Sequence, residues 1–93
     1  MSRLQQALAS GKFVITAELA PPKGVDIRKP LEAAENLRGL VDAVNVTDQQ
    51  ASVLRAAPIG LCRILKERSI EPIMQVTCRD RNRIALQADM LDA

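Results

Sequence analysis

Three apolar runs rich in β-branched residues punctuate the chain: FVITAEL (13–19), DAVNVT (42–47) and PIMQVT (72–77). Their starts lie about thirty residues apart, the length of one strand-plus-helix repeat. The segments between them carry helical periodicity. In KPLEAAENLRGLV, Pro30 suits a first helical position, and Ala33, Leu37 and Leu40 recur at i, i+4 and i+7. In PIGLCRILKERS, Pro58 suits a helix start and Leu61, Cys62 and Leu65 form an apolar stripe. After the third run, DRNRIALQADMLDA offers Asp80 as an N-cap, then Ile84, Ala88 and Leu91 on one face. A short helix in SRLQQALAS is expected to stop at Gly11. The order α-β-α-β-α-β-α predicts a parallel sheet with right-handed crossovers.

Side chains alternate between the faces of a strand. Thr16 and Glu18 therefore share one face of the first strand, Asn45 and Thr47 one face of the second, and Gln75 and Thr77 one face of the third. Each polar pair stands opposite an apolar row: Ile15, Ala17 and Leu19; Val44 and Val46; Met74 and Val76. A doubly wound sheet, covered on both faces, reads apolar on both. A (β/α)8 TIM barrel has helices only outside and its site at the carboxyl ends of the strands. The pattern favours the barrel over an open α/β layer with one solvated face, and it places Glu18 on the inner rim of the catalytic end. Such a barrel needs about 250 residues. The chain is thus expected to be its N-terminal three βα units, truncated in the helix that follows the third strand.

Composition narrows the partners. Ninety-three residues allow one small domain, so residues 1–93 are expected to form a single partial domain with no second one. One Phe and no Tyr or Trp leave no base-stacking platform, and a net charge of +2 is too slight to attract a polyanion, so no nucleic-acid partner is expected. No apolar run approaches the roughly 18 residues of a membrane span, and no signal-like segment opens the chain. Cys62 and Cys78 lack metal-ligand spacing and His is absent, which predicts no metal and a reduced, cytoplasmic setting.

Three motifs carry a family likeness: E-x-x-P-P at the first strand's end (Glu18, Pro21, Pro22), N-V-T at the second (Asn45 to Thr47) and T-C-R-D at the third (Thr77 to Asp80). In that order and spacing, FVITAELAPPKG, VDAVNVTDQQAS and PIMQVTCRDRNRIALQADML closely resemble the N-terminal portion of bacterial methylenetetrahydrofolate reductases, from about Lys12 onward. The resemblance implies a (β/α)8 barrel with FAD that reduces methylenetetrahydrofolate to methyltetrahydrofolate with NAD(P)H, in a cytoplasmic homo-oligomer. It implies that Glu18 is the general acid that protonates the folate as its five-membered ring opens. The role calls for an acid that keeps its proton near neutral pH, which desolvation promotes. Thr47 falls at the nicotinamide and flavin site, and Asp48, Gln49 and Gln50 fall where the family lines the flavin with backbone and small side chains. Gln75 stands where some members have a flavin-contacting His. Uncharged hydrogen-bonders such as Thr47, Gln75, Asn45 and Thr77 suit a flavin edge with its alternating donors and acceptors. The family's Gly-Asp pair after a fourth strand would fall beyond Ala93, so this span is expected to hold part of the site and to be inactive alone.

Arg81 and Arg83 in RDRNR are expected in the first turn of the last helix, where the macrodipole disfavours cations. Either an anion lies nearby, such as a cofactor pyrophosphate or a glutamyl tail, or the surface is solvated and Asp80 partly neutralises it. Two rival functions remain: a non-catalytic truncated paralogue or interaction segment, and a pterin-binding methyltransferase-type barrel without flavin.

Overall fold

A computed structural model describes residues 1–93. Helix α1 (Arg3–Ala9) is capped by Ser2, whose hydroxyl accepts from the Gln5 N–H, and the chain leaves it through Gly11 at φ +77°. Then follow β1 (Thr16–Leu19), α2 (Arg28–Leu37), β2 (Ala43–Val46), the single turn η1 (Gln50–Ser52), α3 (Pro58–Glu67), β3 (Pro72–Met74) and α4 (Arg83–Asp92). The strands form one parallel sheet in the order β1-β2-β3, with Glu18 opposite Asn45, and Asn45 opposite Ile73. The predicted α/β class and parallel order are therefore present. No helix is long and apolar enough to cross a membrane.

One face of the sheet is dry. Leu19, Val44 and Val46 pack with Ala34 of α2, with Leu61, Cys62 and Leu65 of α3, and with Ile70. Leu65, Val44 and Val46 are fully buried, as a parallel strand under helices requires. The other face carries Thr16, Glu18 and Asn45 under no helix, with Thr16 and Glu18 exposed and the Asn45 amide donating to the Thr16 hydroxyl at 2.9 Å. The predicted two-faced parity holds at Glu18 against Leu19 and at Asn45 against Val44 and Val46. It does not extend to Thr47, which is buried beyond the end of β2, or to the third strand, where Met74, Gln75, Val76 and Thr77 are all half-buried and only Met74 lies in β3.

Several boundaries differ, for identifiable reasons. The first strand begins at Thr16 rather than Phe13, because the Ile15 N–H goes to the Asp42 carboxylate at 3.0 Å instead of to a strand carbonyl. Phe13 and Ile15 are left exposed. The third strand stops at Met74; one further bond, from the Gln75 N–H to the Val46 carbonyl, continues the ladder, and then the Thr77 N–H turns to the Asp48 carboxylate. Helix α2 starts at Arg28, so Pro30 is its third residue, still within the first turn where a missing N–H costs nothing. Its inward positions are Pro30 and Ala34, flanked by Leu31 and Leu37, while Ala33 faces outward and Leu40 lies exposed in the turn beyond the helix. The cap of α4 is Asn82, whose side chain accepts from the Ala85 N–H at 2.9 Å, and not Asp80, whose carboxylate is held by Arg79. Ile84, Ala88 and Leu91 are exposed, and α4 buries none of its residues.

The amino-terminal end of the sheet is closed by ion pairs. Glu71, 5% exposed, is met by Lys66 Nζ at 3.1 Å and Arg3 Nε at 3.6 Å, and Asp42 pairs with Lys12. Those charges are spent on structure. The opposite end carries the candidate site.

Candidate functional site

Three neighbouring strands bring their carboxyl ends to one rim. Glu18 stands on β1, exposed and in register with Asn45. Thr47 immediately follows β2; its N–H donates to the Leu19 carbonyl at 3.1 Å, which locks it beside the end of β1. Gln75 immediately follows β3, half-buried, bonded through its N–H to the Val46 carbonyl at 3.1 Å. The parallel register thus brings Glu18, Thr47 and Gln75 to the same end on adjacent strands.

Thr47 is 3% exposed, and its hydroxyl is the one buried side-chain oxygen without a hydrogen-bond partner. An orphaned buried hydroxyl costs on the order of 1–3 kcal/mol.

Asp48 does something other than line a ligand with its side chain. Its carboxylate is 2% exposed and accepts from both terminal nitrogens of Arg81, with Nη2 at 3.0 Å from Oδ1, and from the Thr77 N–H at 2.7 Å. Burial opposes ionisation of Asp48, but the Arg81 guanidinium and the Thr77 N–H outweigh it and hold the carboxyl below its ordinary value. Arg81 also donates to Asp89 of α4 at 2.7 Å and to the Thr77 carbonyl at 3.1 Å. It therefore sits before α4 rather than in its first turn, and the anion expected near it is Asp48. Neither explanation offered by the sequence alone included that partner.

Between Asp48 and α3 the backbone is strained. Gln49, Ala51 and Ser52 take left-handed φ values of 48°, 58° and 57°, which L-residues with a Cβ rarely adopt. Side chains enforce the shape. The Gln49 amide accepts from the Arg55 N–H at 2.8 Å and donates to the Arg55 carbonyl at 2.9 Å, and Arg79 donates to the Gln49 carbonyl at 2.9 Å. Gln50 is exposed on η1. A shallow cleft of about 380 Å³ opens beside this loop, lined by Gln49, Ser52, Val53, Leu54, Asp80 and Arg81. The resemblance points to Gln49 through its backbone; Arg55, Arg79 and Arg81, which fix the loop, leave no mark in the sequence because their partners lie up to thirty-three positions away.

Both cysteines are free. Cys62 packs in the core, as expected, and desolvation pushes its thiol up to about 11. Cys78 is exposed.

A family model described as methylenetetrahydrofolate reductase matches residues 3–93. No curated protein and no solved structure matches the chain.

Proposed function

The chain belongs to the methylenetetrahydrofolate reductase family, and from that premise we propose that its rim is part of a site where methylenetetrahydrofolate is reduced to methyltetrahydrofolate with FAD and NAD(P)H. The three βα units would be the first of a (β/α)8 barrel. A sheet with helices on one face only, and polar side chains on the other, supports that architecture over a doubly wound one.

The buried, unpartnered Thr47 hydroxyl carries the reading. It is a group that can both donate and accept, held rigidly by its own N–H bond, at the end of the sheet where barrel enzymes do chemistry. The oxygen is closed off from solvent in the free chain, so it would meet the polar edge of a flavin once the side chains around the rim shift on binding. Thr47 and Gln75 would bond that edge, while the main chain around Asp48 and Gln50 would flank it. When bound, FAD supplies the hydride that reduces the folate's methylene carbon.

The chain's own part is acid catalysis and placement. Glu18 would deliver a proton to the substrate nitrogen as the five-membered ring opens, leaving an electrophilic carbon–nitrogen double bond. Glu18 is exposed on the open sheet face, so a substrate has room to reach it, and the desolvation expected at this acid is not supplied by the residues of this chain and would come from bound substrate and cofactor. Asn45, opposite Glu18 in register, is occupied with Thr16 and would fix the floor between acid and cofactor.

Glu18→Gln in the intact protein tests this reading. The amide keeps shape and hydrogen bonding but has no proton to transfer. Flavin reduction by NAD(P)H should run at an unchanged rate, and reoxidation by methylenetetrahydrofolate should slow on the order of 10² to 10⁴-fold. Stopped-flow absorbance separates the two half-reactions. Equal slowing of both, or of neither, would remove Glu18 from the acid's role.

A further inference from the structure

We propose that the Asp48–Arg81 pair is a positioning lock: it couples the strained loop after β2 to the segment after β3, so that the two halves of the rim are held as one unit. The inference rests on the flavin reading for its function and on geometry alone for its mechanics. Asp48 directly follows Thr47, and its carboxylate takes the N–H of Thr77, two residues beyond Gln75. Arg81 closes the ring by bonding both Asp48 oxygens and the Thr77 carbonyl.

Thr47 directly precedes Asp48, and Gln75 lies two residues before the N–H that the Asp48 carboxylate accepts. Turning the Asp48 carboxylate away would break its bonds to Thr77 and Arg81 at once and free both sides of the rim. The lock also explains how the chain tolerates three left-handed residues in succession with one gap, at Gln49, Ala51 and Ser52. Strained backbone persists where its surroundings over-determine it. Here the loop is fixed at its start by Asp48, at its first carbonyl by Arg79 and at its far end by the Gln49–Arg55 bonds. Arg81 adds a third connection through Asp89, and α4, which has no buried residues, is tethered to the rim by it.

A guanidinium is needed because its planar fork bonds two carboxylate oxygens at once; an ammonium offers the same charge without that geometry. Arg81→Lys in the intact protein thus keeps the charge and loosens the lock, and Asp48→Asn keeps the shape and removes the charge. Hydrogen exchange, measured without flavin, reads the mechanics. Both variants should speed exchange at Thr77 and across residues 49–55 by about tenfold, roughly the worth of one charge-assisted hydrogen bond, with β1 and α2 unchanged. FAD titration at a temperature where circular dichroism shows each variant folded reads the function. The dissociation constant should rise about tenfold in both.

Exchange that stays slow at one side of the lock while the other opens would overturn the coupling. Faster exchange with an unchanged FAD constant would overturn the positioning role and leave a merely structural pair. A parent protein that binds no FAD refutes the flavin reading and with it the positioning role, and exchange then decides the coupling by itself.

Discussion

Removing Arg81 should cost more stability than removing the charge of Asp48, although the two are partners in one ion pair. The asymmetry follows from what each leaves behind. Arg81→Met strands a carboxylate that is 2% exposed and keeps a single N–H, from Thr77. An uncompensated buried charge of this kind costs about 3–5 kcal/mol. Asp48→Asn strands a guanidinium that is 13% exposed and still meets Asp89 at 2.7 Å and the Thr77 carbonyl at 3.1 Å. The new amide oxygen can go on accepting from Thr77, so the cost should be about 1–2 kcal/mol, that of weakened hydrogen bonds. The double variant contains no buried charge at this point, and its cost should fall short of the sum of the two by about 2 kcal/mol. Native domains have roughly 5–15 kcal/mol to lose, so the single variants are readily distinguished. Urea unfolding of the intact protein at pH 7, followed by far-ultraviolet circular dichroism, measures all three. Equal costs for the two single variants, or additivity within about 0.5 kcal/mol, would refute the reasoning.

Two further outcomes are expected. Acid should destabilise the fold through Asp48: its carboxyl titrates below its ordinary value of 3.8 in the folded chain, so the stability it contributes is complete above that value and is lost as pH falls through the lower folded one. Unfolding midpoints should therefore drop more steeply below pH 3.8 in the parent than in Asp48→Asn, and parallel curves would show that other carboxylates dominate. Iodoacetamide at pH 8 should label the exposed Cys78 and spare Cys62, whose buried thiol is pushed up to about 11, until denaturant is added; mass spectrometry that finds both labelled in the folded chain would mean that α3 opens readily.

The alternation of polar and apolar residues made the sheet legible because it reports burial, and burial is what the sheet is built on. Val44 and Val46 against Asn45, or Leu19 against Glu18, carry the whole two-faced layer in a few letters. Strand lengths were less legible because they depend on who takes a given N–H. FVITAEL reads as a seven-residue strand, yet Asp42, far along the chain, claims the N–H of Ile15 and the regular ladder begins one residue later. PIMQVT is cut in the same way by Asp48 at Thr77. Helical stripes failed where i, i+4, i+7 spacing fits two adjacent faces: Ala33 and Ala34 are equivalent as letters, and only the packing of α2 on β1 selects Ala34.

At the rim, strand parity placed Glu18 on the open face, but it put Thr47 beside Asn45 on that face, whereas the chain buries Thr47 just beyond β2. The rim's supporting shell was not legible. Asp48 reads as a ligand-facing residue when taken with the Gln-rich loop after it, and Arg81 reads as a helix-start cation in search of an anion. Each is the other's answer, thirty-three positions apart. No local pattern joins them, because the contact exists only once β2 and β3 lie side by side and their carboxyl ends share a few ångströms of space. Chemistry-bearing residues at strand ends leave a mark on periodicity; the groups that orient them are chosen by topology, and topology here is what converts two unexplained charges into one fixed rim.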